Sequence, residues 1–188
     1  KIFSELGFNR LLTQLDAAGE ADTKESAAET TKPVSNTVSA KTVSHDYRLV
    51  DTVEKFDSFL TELKKQKIFA VDTETTSIKA MEAELVGISF SWKPKEAFYL
   101  AVKSPIGLKC LGINLVRERL VPILADEIVK KVGQNIKYDL LMLKWYGFEL
   151  NGKIFDTMLA HYVIEPDGKR NMDALSEKYL GYEPVHID

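Results

Sequence analysis

The sequence predicts an α/β fold in which helices flank a mixed sheet. Three segments with strand-like composition, 68–74, 83–92 and 96–102, follow one another with short connections, which is typical of an antiparallel meander. After about residue 112, helical periodicity alternates with a short apolar strand, and this favours further strands of parallel direction. We therefore expect a three-strand antiparallel meander that is extended by parallel strands.

The helices are predicted from apolar residues at helical spacing and from capping residues at their ends. Asp156 is a candidate N-cap for the helix TMLAHYVI, or alternatively a residue that supports neighbouring site residues without binding a metal itself. Asn171 or Asp173 is a candidate N-cap for MDALSEKYL, which stops at Gly181. The predicted helices are, in order, 53–65, about 113–125, about 138–146, 157–164 and 172–180, and a short strand is predicted at 128–133.

Two further predictions concern buried side chains. Helical spacing places Tyr138, Leu141, Met142 and Trp145 on one side of the helix at 138–146. Trp145 and Phe155 are both expected in the core.

The segments before residue 47 have a different composition from the rest of the chain. Residues 1–15 carry apolar side chains at roughly helical spacing and predict a short amphipathic helix from the end of a preceding domain. Residues 16–46 contain many Ala, Thr, Ser, Glu and Lys and predict a flexible linker. The folded domain is expected at 47–188. The chain begins at Lys1 without an initiator Met, so we interpret it as part of a longer protein.

The overall composition is that of a globular protein, with 45% hydrophobic and 28% charged residues. No apolar run approaches the roughly 18–20 residues that a membrane span needs, so no membrane association is expected. A net charge of -3 argues against a large phosphate-binding surface, and Lys130, Lys131 and Lys137 are expected to be solvated. Cys110 is the only cysteine, which excludes an internal disulfide and fits a cytoplasmic location.

The candidate site begins where the first strand of the meander ends in two carboxylates. Because side chains alternate along a strand, Asp72 and Glu74 share one face, and Phe69, Val71 and Thr73 share the other. Two like charges this close repel each other unless a cation lies between them or one of them is protonated. The alternative is a solvated strand end whose carboxylates face water.

A third carboxylate, Asp139, lies where the short strand at 128–133 gives way to the next helix. Carboxylates that converge from separate elements form a hard-oxygen site suited to Mg²⁺ or Mn²⁺. Such a site can hold two ions about 3.5–4 Å apart, which stabilise the attacking and leaving oxygens of a phosphodiester. This pattern favours metal-dependent hydrolysis of a phosphodiester.

Four stretches of the sequence resemble the proofreading 3′→5′ exonuclease domains of the bacterial DNA polymerase I family, which are DEDD exonucleases with a ribonuclease H-like fold. They are FAVDTETTS, VGQNIKYDLLMLKWYGFEL, IFDTMLAHYVIEP and MDALSEKYLGY, in the family's order. FSELGFNRLL is similar to the segment that joins the preceding 5′-nuclease domain to the exonuclease domain in that family.

The resemblance implies a set of site residues. Asp72 and Glu74 would bind the nucleophile-side ion, and Asp139 would bind the second ion through water. The implied cofactors are thus two ions of Mg²⁺ or Mn²⁺. The positions that would seat the 3′-terminal nucleotide are Thr75, Ile78, Asn135 and Tyr138.

The sequence departs from the family at its end. The family's third motif is a Tyr-x-x-x-Asp on a later helix, and no such motif occurs after Leu180. The carboxylate set is therefore incomplete in this chain, and we expect the 188-residue piece to be weakly active or inactive.

The expected partners follow from the resemblance: the 3′ end of single-stranded DNA and the polymerase domain of the same parent chain, in a monomeric protein of the bacterial cytoplasm. Two alternatives remain open at the level of sequence. One is a stand-alone exonuclease of the same superfamily that trims RNA. The other is a binding or structural module that has kept the fold and lost the chemistry.

Overall fold

The computed structural model describes residues 38–39 and 41–185. The predicted helix at 1–15 and most of the predicted linker at 16–46 lie outside the described residues. Within the described range, the helices are α1 (Val53–Leu63), α2 (Ile113–Leu124), α3 (Lys137–Trp145), α4 (Thr157–Ile164) and α5 (Met172–Leu180). The strands are β1 (Val38–Ser39), β2 (Asp46–Val50), β3 (Ile68–Thr75), β4 (Leu85–Lys93), β5 (Glu96–Ala101), β6 (Lys130–Gly133), β7 (Ile154–Asp156) and β8 (Tyr182–Glu183). No helix in this part of the chain is long and apolar enough to span a bilayer.

Six strands form one mixed sheet in the order β2-β5-β4-β3-β6-β7. The neighbours β3, β4 and β5 are antiparallel, whereas β6 lies parallel to β3, β7 parallel to β6, and β2 parallel to β5. β1 and β8 form a separate two-stranded parallel pair. The predicted combination of an antiparallel meander with parallel strands is confirmed. β2 and β7 were not predicted as strands, because β2 is mostly exposed and β7 has only three residues.

One face of the sheet packs against α1, α2 and α3 and forms the core. α1 contributes four buried side chains to this core, Phe56, Phe59, Leu60 and Leu63. Phe59 contacts Phe90 of β4 with ring centroids 5.2 Å apart, and Phe69 of β3 contacts the same ring at 5.7 Å. Burying these large side chains on one side of β3 leaves its alternate residues on the opposite side.

The buried face of α3 differs from the predicted stripe. Asp139, Met142 and Leu143 are buried, whereas Leu141 and Trp145 are 52% and 68% exposed. The prediction that Trp145 lies in the core is therefore wrong. A hydrogen-bonded carboxylate, rather than an apolar residue, occupies the first buried position of this helix.

The opposite face of the sheet is only partly covered. α4 and α5 stand beside it, and an apolar groove of about 810 Å³ separates Ala70 and Ala97 of the sheet from Leu175 and Tyr179 of α5. Phe155 lines this groove and is 54% exposed, so its expected place in the core is also wrong.

Candidate active site

The central strand β3 presents the two carboxylates of the first motif. It lies between β4 and β6, and it pairs Asp72 with Ser89 and Glu74 with Gly87 of β4. Phe69 and Val71 are buried in the core, which places Asp72 and Glu74 on the other face, as predicted. The pairing register shifts between Glu74 and Thr75, so the regular pairing of β3 with β4 is interrupted directly after the second carboxylate.

The third carboxylate reaches β3 from the first turn of α3. Asp139 is only 2% exposed, and its Oδ1 accepts hydrogen bonds from the backbone N–H of Thr73 at 2.8 Å and from the Thr73 hydroxyl at 2.6 Å. Charge-assisted bonds of this length are among the stronger ones in proteins. They hold the carboxylate of Asp139 against the residue that separates Asp72 from Glu74.

The electrostatics of the site reflect three acidic groups in a partly dry environment. Burial, followed by the charges of Asp139 and Glu74, raises the pKa of Asp72 to about 7. Burial also raises the pKa of Asp139, and the two Thr73 hydrogen bonds oppose that shift. Burial and like charges disfavour the ionised form of these carboxyl groups, and a nearby cation would stabilise that ionised form.

The predicted nucleotide-seating residues gather around a single cavity of about 460 Å³. Its walls include Asp72, Asp139, Thr75, Ile78, Asn135 and Tyr138. The Tyr138 hydroxyl donates to the carbonyl of Ser77 and lies 2.7 Å from Thr75 Oγ1, which joins α3 to the end of β3. Ile78 is 94% exposed at the cavity rim. Glu74 does not line this cavity, although it shares a strand face with Asp72.

The oxygen donors suit a divalent ion chemically. Within 38–39 and 41–185, no group of three or more His, Cys, Asp or Glu side chains lies close enough together to hold an ion. One Asp139 oxygen is occupied by Thr73, as described above. The remaining carboxylate oxygens are hard donors of the kind that Mg²⁺ and Mn²⁺ prefer, and their mutual repulsion fits a bound cation.

Sequence reasoning offered Asp156 as a helix cap or as a residue that supports neighbouring site residues, but it did not identify the groups that Asp156 contacts. It predicted Asp156 as the N-cap of α4, and the structure confirms this, because Asp156 Oδ1 accepts from the N–H groups of Met158 and Leu159. The same carboxylate also accepts from the backbone N–H groups of Asn135 and Ile136. The signal for this second role is the pairing of β7 with β6, which sequence reasoning did not predict.

Comparison with known proteins identifies the family. A family described as 3′-5′ exonuclease matches residues 47–188. The chain belongs to this family. It is therefore a 3′-5′ exonuclease domain, a hydrolytic nuclease, and its fold is the ribonuclease H-like fold predicted from the sequence.

Two curated relatives extend this result. DNA polymerase I of Pseudomonas aeruginosa is 34% identical over 196 residues, which cover 100% of this chain and 20% of the relative. DNA polymerase I of Borreliella burgdorferi is 34% identical over 153 residues, which cover 81% of this chain and 16% of the relative. The chain thus spans about a fifth or less of the length of these relatives.

Solved structures share the fold at lower sequence identity. RNase D of Trypanosoma brucei has a TM-score of 0.63 and 20% identity, covering 77% of this chain and 50% of that one, and it has also been solved in complex with RNA U12. NrnC of Brucella melitensis, solved with bound Mg²⁺, has a TM-score of 0.54 and 16% identity, covering 78% of this chain and 66% of that one.

Proposed function

We propose that this exonuclease domain removes nucleotides from the 3′ end of DNA, as the proofreading part of a DNA polymerase I chain in the bacterial cytoplasm. The observation that carries the proposal is the cavity beside β3. It combines Asp72 and Asp139 with the exposed Ile78 and Asn135, so acidic groups and nucleotide-contacting groups face the same space. The family match and the polymerase relatives support DNA as the substrate and a larger parent chain.

The acidic residues have distinct tasks in this proposal. Asp72 and Glu74 would hold the ion that activates the attacking water, and Asp139 would hold the second ion. When bound, such ions act as Lewis acids and lower the pKa of a coordinated water. The protein contributes the geometry: β3 fixes the first pair of carboxylates, and the Thr73 hydrogen bonds fix the carboxylate of Asp139.

The other residues around the cavity seat the terminal nucleotide. Ile78 presents an exposed apolar side chain that packs against the face of the terminal base. Asn135 offers an amide to the sugar or the phosphate. Tyr138 and Thr75 keep the end of β3 in place through the hydrogen bonds that join them to Ser77.

The test compares trimming and synthesis in the full-length parent chain. The double substitution Asp72→Ala with Glu74→Ala should abolish removal of nucleotides from the 3′ end of single-stranded DNA. Nucleotide addition should stay intact, because the two activities lie in separate domains. Glu118→Ala with Glu149→Ala, two exposed carboxylates elsewhere in the domain, is the matched control and should change neither activity.

Three outcomes would count against the proposal. Polymerisation that falls as steeply as trimming would contradict separate domains. Unchanged trimming in the Asp72 and Glu74 variant would place the chemistry elsewhere. Wild-type protein that trims RNA but leaves DNA intact would identify a different substrate class.

A further inference from the structure

The bend between β6 and α3 has an unusual backbone. Asn135 has a φ of 57°, in the left-handed region that non-glycine residues rarely adopt. Asn tolerates this conformation better than most residues, yet the strain persists only when neighbouring groups fix it. The side chain of Asn135 is exposed and lines the cavity at the candidate active site.

A single carboxylate from another strand holds this bend. Asp156 Oδ1 accepts a hydrogen bond from the backbone N–H of Asn135 at 3.2 Å, and Oδ2 accepts one from Ile136 at 3.1 Å. The strand register explains the reach, since Asp156 of β7 pairs with Gly133 of β6, two residues before Asn135. Both oxygens of Asp156 therefore face the residues that start α3.

Capping of α4 alone does not require this arrangement. Met158 and Leu159 donate to Oδ1 at 2.8 and 3.2 Å, so a single carboxylate oxygen makes both capping contacts to α4. The bond from Ile136 uses the second oxygen, Oδ2, and serves only the bend.

The next residue along the chain reinforces the bend. The Thr157 hydroxyl contacts the side-chain oxygen of Gln134 and lies 3.2 Å from the carbonyl of Gly133. The amide of Gln134 in turn donates to the carbonyl of Arg170 at 2.7 Å. The bend is thus fixed on both sides of Asn135 by groups from β7, α4 and the segment after α4.

We propose that Asp156 is a positioning residue for the 3′-terminal nucleotide. It holds Asn135 in its left-handed conformation, so the amide of Asn135 stays directed at the sugar or phosphate of the nucleotide in the cavity. This inference rests on the proposed function, because it assumes that the cavity receives a 3′ end. Asp156 does not line the cavity, and it acts through the backbone of Asn135 and Ile136.

Asp156→Ser in the full-length parent chain separates positioning from capping. Serine caps helices about as well as aspartate, so α4 keeps its N-cap, but a single short hydroxyl cannot also reach Asn135 and Ile136. We expect the KM for a single-stranded oligonucleotide to rise about tenfold, with kcat changed much less. The reason is that the substitution weakens binding of the substrate and removes no contact that forms only in the transition state. Thr52→Ala, which removes the N-cap of α1, is the stability control and should leave KM unchanged.

A double-mutant cycle tests whether the effect passes through Asn135. Asn135→Ala alone should also raise KM, and adding Asp156→Ser to it should raise KM little further, because the group being positioned is already absent. Additive effects on KM, a wild-type KM in Asp156→Ser, or an equal rise in KM in Thr52→Ala would each overturn the inference. If Asp156→Ser unfolds early in a thermal melt, Asp156→Asn is the substitute, since it keeps one acceptor oxygen and loses the bidentate contact. A wild-type chain that does not trim single strands would refute the proposed function instead.

Discussion

The hydrogen bond between Thr73 and Asp139 offers a quantitative test of how the site is built. Thr73→Val removes only the hydroxyl, because valine has nearly the same shape as threonine. The lost bond is 2.6 Å long, accepted by a carboxylate, and made by two side chains that are 7% and 2% exposed. The backbone N–H of Thr73 still donates to the same oxygen at 2.8 Å, so Asp139 keeps one of its two partners.

The expected cost follows from these contacts. A hydrogen bond to a charged group contributes about 1.5–3 kcal/mol when its removal leaves the partner buried. We therefore expect the free energy of unfolding to fall by about 2 kcal/mol. For a chain of this size each kcal/mol lowers Tm by about 2–4 °C, so the melting temperature should drop by about 4–8 °C.

The assay is thermal unfolding followed by circular dichroism on the 188-residue chain. Thr61→Val is the matched control, because the Thr61 hydroxyl donates to the carbonyl of Asp57 at 2.9 Å on the exposed side of α1. It should lower Tm by much less than Thr73→Val. In an Asp139→Ala background, Thr73→Val should be nearly neutral, since the acceptor is gone. Equal effects of Thr73→Val and Thr61→Val would refute the reasoning that Asp139 depends on this bond.

Three further outcomes are expected. Titration with Mn²⁺ should show weak binding to the wild type and loss of binding in Asp72→Ala; equal binding by both would place the ion elsewhere. Gly87→Ala should lower the free energy of unfolding by about 1–3 kcal/mol, because a Cβ there would lie 2.3 Å from Cζ of Tyr99. The measurement is urea unfolding, and an unchanged midpoint would mean that the Tyr99 ring moves aside without cost. The 188-residue chain should trim single-stranded DNA poorly on a gel, and a longer chain that includes a Tyr-x-x-x-Asp helix should trim it well; full activity of the shorter chain would contradict the role of that motif.

The three strands of the meander and the placement of the first two carboxylates were predictable because their signals are local. Alternation along β3 assigned Phe69 and Val71 to the core and Asp72 to the other face without any knowledge of the partner strands. The prediction for α3 was wrong because helical spacing alone ranked Trp145 above Asp139 as a buried residue. Burying a carboxylate is favourable only when a hydrogen-bond donor such as Thr73 is in contact with it, and Thr73 is 66 positions away from Asp139 in the sequence.

Other features depend on distant partners in the same way. Lys131 is fully buried, with its ammonium group donating to the carbonyls of Asp126 and Asn151, whereas its neighbour Lys130 is exposed. No local pattern separates these two lysines. The reach of Asp156 to Asn135 likewise requires the β6–β7 register, and a three-residue strand leaves too short a pattern to predict it.

The shift in pairing register after Glu74 separates a segment that cannot tolerate insertions or deletions from one that can. Upstream of the shift, deleting or adding one residue in β3 would exchange its two faces, sending Asp72 into the aromatic core and Val71 into the open groove. Downstream, residues 79–82 lie between β3 and β4 without regular strand or helix and beyond Ser77 and Ile78, so a change in length there leaves both the strand pairing and the cavity wall intact. Selection should therefore keep the number of residues before the carboxylates constant, and it should allow the length of the loop to vary only at residues 79–82. The strand therefore tolerates no change in its number of residues, whereas the loop tolerates one only beyond Ile78.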